Sequence, residues 1–124
     1  MAEGFENLKC WQDCFELKQF IRTSILPKLP KSERFDLHSQ ILRAARSATA
    51  NVAEGYGRYH YKDNVRFLIH ARGSLTELLD HGIEAKACAY IDQDELEHLR
   101  TKIGTCTRLI NGYIKYLRKE SNRN

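Results

Sequence analysis

The sequence predicts an all-α chain folded as an up-down-up-down antiparallel four-helix bundle. Apolar residues recur at spacings of three and four along four long runs, and glycine and proline punctuate the joins between them. No stretch alternates apolar and polar residues long enough to form a sheet. The joins are short, which makes neighbouring helices run antiparallel.

The first helix is placed at 5–25, where Leu8, Trp11, Cys14, Phe15, Leu17, Ile21 and Ile25 form a wide apolar stripe. Leu26-Pro27 to Leu29-Pro30 should end it, because proline disfavours the α region for the residue before it. The second helix is placed at 34–56, with Leu37, Ile41, Ala44, Ala45, Ala48 and Val52 inward and Gly55 and Gly57 as its stop signal. The third, at 62–89, turns Val65, Leu68, Leu75, Leu78, Leu79 and Ile83 inward. Gly73 and Gly82 lie inside it, and an interior glycine costs about 1 kcal/mol relative to alanine, so both point to the close approach of another backbone. The fourth, at 92–119, opens with Asp92 and Glu95 spaced as a reciprocal capping box. Leu96, Leu99, Ile103, Cys106, Ile110, Tyr113 and Leu117 then repeat as a heptad seam.

With 124 residues, the chain is read as one domain over 1–124. No apolar run approaches the roughly 18 to 20 residues that cross a bilayer. Met1 to Leu8 lacks the basic stretch and apolar core of a signal peptide, so a cytoplasmic location without membrane contact is expected. Cys10, Cys14, Cys88 and Cys106 each fall in a helical run and read as reduced apolar fillers. Cys10 and Cys14 stand four apart, but the paired knuckles of structural zinc sites are missing, so neither metal nor cofactor is expected.

The net charge of +4 is unevenly spread. Residues 37–72 carry six basic side chains against Glu54 and Asp63, whereas the segments on either side are balanced. A second concentration lies in the tail, where Arg108, Lys115, Arg118, Lys119 and Arg123 face only Glu120. Local clusters of this kind attract polyanions even when the total charge is small.

No catalytic set is visible, so no enzyme is expected. The five histidines include no His-x3-His or Glu-x2-His pair of the kind di-metal bundles use. Gly55-Tyr56-Gly57 closes a helix rather than opening one after a strand, and Ser47 and Ser74 have no base nearby in sequence. Two stretches stand out. In the first, Gln40, Arg43, Ser47, Asn51 and Glu54 recur every three or four residues as one polar ribbon, with Asn51 and Glu54 expected to bond an adjacent helix or the turn after Gly55. In the second, Phe67 to Leu78, small residues including Gly73 and Ser74 suit close packing on the second helix. Glu77 is expected to pair with Arg43 or Arg46.

Asn51-Val52-Ala53-Glu54-Gly55, preceded by Gln40-x-x-Arg43-Ala44 and followed by Phe67-Leu68-x-x-Ala71-x-Gly73-Ser74-x-x-Glu77-Leu78, resembles the bacterial four-helix-bundle family of 23S ribosomal RNA intervening-sequence proteins. The opening Leu8-Lys9-Cys10-Trp11-Gln12 is also similar, so the resemblance covers nearly the whole chain. It implies a homopentamer around a central opening, with no enzymatic activity. It also implies kinship with the accessory variability determinant of diversity-generating retroelements, a basic pentamer that contacts a reverse transcriptase and nucleic acid. Val52 stands where isoleucine is usual.

The expected function is therefore binding. Structured RNA or DNA, ribosomal or retroelement in origin, would be held through phosphate contacts from Arg43, Arg46, Arg58, Lys62, Arg66, Lys115, Arg118 and Lys119. Lys62, Arg66 and His70 share one helix face, and Tyr56, Tyr59 and Tyr61 are placed to stack bases. The alternative is a protein adaptor, such as an accessory subunit for a reverse transcriptase. Apolar residues on more than one side of the first and third helices point to self-association in either case.

Overall fold

The computed structural model describes residues 4–123, and every regular element among them is helical. Helix α1 spans Lys9–Phe20, α2 Leu37–Gly57, α3 Tyr61–Ala87 and α4 Gln93–Ser121. A wider π turn, Ile21–Ile25, prolongs α1, and short 3₁₀ turns occupy Phe5–Asn7, Leu26–Lys28 and Lys31–Glu33. None of the described helices is long and apolar enough to cross a membrane.

Helix α2 packs along α3, α3 along α4, and α1 against both α2 and α4. Pairs of contacts give the sense of each packing. Ser47 meets Ser74 while Gly55 meets Asn64. Gly82 faces Leu99 while Asn64 reaches Tyr113. Cys14 lies beside Cys106 while the Phe20 ring lies against His98. Neighbours are thus antiparallel, and the four helices enclose one apolar core in up-down-up-down order.

The seam of α4 is buried at Leu96, Leu99, Ile103, Cys106, Ile110, Ile114 and Leu117. Ile114 takes the place expected for Tyr113. A spacing of three or four allows either, and Tyr113 stays half-buried where its hydroxyl can accept a hydrogen bond from Asn64 Nδ2 (3.4 Å). Phe15 and Ile83, both expected inward, are 37% and 45% exposed. Phe15 lies at the border of its stripe, stacked on Trp11 with Lys18 Nζ 5.2 Å from its ring centroid, and Gly82 and Ala85 hold the buried positions on either side of Ile83. Three cysteines are core residues, but Cys88 is exposed at the end of α3. Burial pushes the Cys10 thiol up to about 11, and the adjoining Cys106 thiol followed by burial raises that of Cys14.

The punctuation acts differently from its sequence reading. Leu29 is extended before Pro30, but Leu26 keeps helical dihedrals and Pro27 sits in a 3₁₀ turn. Gly55 does not stop α2. It is a buried helical residue, and a Cβ there would lie 3.0 Å from the Asn64 carbonyl oxygen and 3.0 Å from Phe67 Cβ. The chain turns at Tyr59 (φ 61°) instead. Gly82 is likewise a close-approach position, since a Cβ would meet Leu99 Cδ2 at 2.5 Å, whereas Gly73 faces open space. After α3 the chain turns through Ala89 (φ 62°), with Tyr90 N–H donating back to the Ala85 carbonyl. The capping box is present: Glu95 N–H donates to Asp92 Oδ1 and Asp92 N–H to Glu95 Oε1, both at 2.8 Å. Lys28 also pairs with Glu95, tying the linker after α1 to the start of α4.

Gly55→Ala is expected to destabilise the fold by about 1–3 kcal/mol, because backbone must move to admit one methyl. Gly112→Ala, on an open helix surface, is expected to stabilise by up to about 1 kcal/mol. Urea unfolding midpoints should move in opposite directions; a shared direction would contradict the packing described.

Candidate nucleic-acid interface

Antiparallel topology sends the C-terminal ends of α2 and α4 and the N-terminal end of α3 to one end of the bundle. Six of the eight cations singled out in the sequence gather there: Arg58 after α2, Lys62 and Arg66 in the first turns of α3, and Lys115, Arg118 and Lys119 in the last turns of α4. Arg43 and Arg46 do not join them, because a rise of 1.5 Å per residue leaves them roughly 20 Å away along α2. Arg46 instead lies near Lys18 of α1, as does Arg22 of the π turn, two cations that the sequence reading did not single out. Lys18 donates to Thr49 Oγ1 (3.0 Å), and burial, then Arg22 and Arg46, lower its affinity for a proton.

At the bundle end the carboxylates are already engaged within their own helices or adjoining turns. Glu54 pairs with Arg58 (3.0 Å), Asp63 with Arg66 (3.4 Å) and Glu120 with Arg123 (3.3 Å). Lys62, Lys115, Arg118 and Lys119 are exposed and make no ion pair among the described residues. Among the aromatic residues, Tyr59 is 86% and Tyr61 44% exposed, while Tyr56 is half-buried. Phe67 was legible only as a packing residue, yet the Arg58 and Arg66 guanidinium carbons lie 4.9 and 5.5 Å from its ring centroid. Tyr116, also missed, is 55% exposed and stacks on Tyr113.

The polar ribbon has a different job. Ser47 and Ser74 hydroxyls are 2.8 Å apart across the contact of α2 with α3. Asn51 Nδ2 donates to the Ser47 carbonyl and hydroxyl oxygens, and Ser74 donates to the His70 carbonyl. Asn51 therefore bonds its own helix and supports the interhelical link indirectly, while Glu54 reaches Arg58 beyond Gly55 as expected. Gln40 Nε2 donates to Asp36, and Arg43 makes no polar contact among the described residues. Glu77 pairs with His81 (3.3 Å) rather than with Arg43 or Arg46, because it faces solvent rather than α2. The two motif stretches thus meet at Ser47–Ser74 and at Gly55–Phe67, as a device that fixes helix spacing and register. Among the described residues no group of three or more His, Cys, Asp or Glu side chains is arranged to hold a metal ion.

Ser47→Ala and Ser74→Ala are each expected to cost about 1 kcal/mol. The double variant should cost less than the sum by at least about 0.5 kcal/mol, since the second change removes an already broken contact. Additive losses in a double-mutant cycle would show that the hydroxyls act independently.

No curated protein matches the chain. The family model described as 23S rRNA-intervening sequence protein matches residues 6–112, a span that includes α1, α2, α3 and most of α4. With both motif stretches in contact and the match covering most of its length, the chain belongs to the 23S rRNA-intervening sequence protein family.

Proposed function

We propose that this protein is a non-enzymatic, cytoplasmic, self-associating binding protein whose basic bundle end contacts structured RNA or DNA. The observation that carries the reading is the gathering of Lys62, Lys115, Arg118 and Lys119, all without ion-pair partners among the described residues, beside exposed Tyr59, Tyr61 and Tyr116. Unpaired cations next to aromatic faces suit a phosphate backbone with accessible bases. Membership of a family described by ribosomal RNA intervening sequences is compatible with an RNA partner. Arg58 and Arg66 support this reading less directly, because each is already neutralised by its own carboxylate.

Self-association is supported by the outer face of α3. Ile69, Thr76 and Ile83 recur every seven residues, with Gly73 open beside them, and both isoleucines are substantially exposed. A homopentamer is the assembly we favour. It would present five basic ends together, so that individually weak contacts act as one. The same stripe, with Phe35 88% exposed, favours a second reading in which the partner is a protein such as a reverse transcriptase.

Affinity for a mixed RNA and DNA panel should fall about a hundredfold between about 50 and 200 mM salt if four phosphates are contacted. Replacing Lys62, Lys115 and Arg118 by glutamate should abolish binding, while replacing Arg58 and Arg66 should weaken it less. Salt-independent or absent binding would favour the protein-partner reading. In sedimentation the chain should run as an assembly of several copies that survives these charge reversals and dissociates on Ile69→Glu with Ile83→Glu; a monomer would overturn the self-association proposal.

A further inference from the structure

The bundle end contains a hollow of about 340 Å³ between the first turn of α3 and the last turn of α4. Its floor is apolar, formed where the core residues Val65 and Leu117 reach the surface, and Tyr61 stands at its side. Lys62 and Arg118 line it from opposite helices, with Ser121 and Asn122 adding a hydroxyl and an amide. Among the described residues no carboxylate lines this hollow, and neither cation has an ion-pair partner. An apolar floor with one aromatic side and two unneutralised cations is complementary to a flat heterocycle carrying a phosphate. The volume is at the small end of the range for ligand sites, suited to one nucleotide rather than to a stacked pair.

We infer that this hollow takes a single unpaired nucleotide, its base over Val65 and Leu117 beside the Tyr61 ring and its phosphate between Lys62 and Arg118. The inference rests on the nucleic-acid reading of the same bundle end and sharpens it. A base inside a closed duplex has to leave its partner and its stack before it can enter, whereas an overhanging or looped-out base enters directly. Binding is therefore selective for strand ends and unpaired segments, and the surrounding lysines Lys115 and Lys119 supply the sequence-independent remainder.

The test compares two RNA hairpins of identical stem, one blunt and one with a four-nucleotide single-stranded overhang, by fluorescence anisotropy with the full chain at low salt. The overhang should raise affinity about tenfold, the scale of stacking one base on a protein platform. Ser121→Leu fills the hollow and Tyr61→Ala removes its side without changing any charge. Ser121→Leu should erase the tenfold preference while leaving the blunt hairpin's affinity unchanged, and Tyr61→Ala should likewise erase the preference, with a weaker grip on the blunt hairpin as well; circular dichroism checks that the helices persist. Equal binding of the two hairpins, or a preference that survives both substitutions, overturns the nucleotide pocket and leaves the basic bundle end standing. Absence of binding to either hairpin overturns both readings.

Discussion

The distance between α2 and α3 governs the rest of this structure. Small side chains set it: Ala44, Ala48 and Gly55 are buried on one helix, and Ala71 and Ser74 on the other. A single methyl at Gly55 would come within 2.7 Å of the Asn64 side-chain amide oxygen and 3.0 Å of its carbonyl oxygen, so main-chain as well as side-chain atoms limit the spacing. Close approach gains dispersion contacts along two long helices, but smooth alanine surfaces specify register poorly. The hydroxyl pair of Ser47 and Ser74, braced by Asn51, corrects this by accepting only one axial alignment.

That alignment decides where charge accumulates. Residues 58–66 and 115–119 are some fifty positions apart in sequence, yet the turn after α2 and the final turns of α4 reach the same end of the bundle. Locally paired carboxylates cancel Arg58, Arg66 and Arg123 and leave the lysines and Arg118 to project outward. The electrostatic character of the end is therefore a product of topology. Helices of the same composition joined in another order would scatter these cations over two ends.

Period and punctuation made the four helices and most of their inward faces readable from sequence, because burial of an apolar stripe dominates the energetics of a long helix. Border positions were less legible. Phe15 and Ile83 carry side chains as apolar as any core residue, yet Phe15 lies at the edge of its stripe and Gly82 and Ala85 take the buried positions beside Ile83, so both stay partly outside. Glycine was ambiguous for a related reason: Gly55 and Gly82 serve close contact, whereas Gly73 touches nothing, and composition alone cannot separate these cases. The cations were found by counting, but their grouping was not, since Arg43 and Arg46 are near Arg58 in sequence and far from it along a helix. Phe67 lay hidden because its value comes from guanidinium groups that reach it from two different elements.

The chain turns twice through left-handed backbone without using glycine, at Tyr59 and at Ala89. Each L-residue in that region carries a steric penalty of roughly 1 kcal/mol. Ala89 lies at the end of the bundle away from the cation cluster, so the penalty by itself does not mark a function. What separates the two turns is what each displays: a methyl group at one, and at the other a phenol ring left almost wholly in solvent beside Arg58. Glycine at position 59 would relax the turn and forfeit the ring. Stability and recognition are thus in competition at this one position, and a chain selected in the laboratory for heat resistance alone would be drawn toward losing the tyrosine.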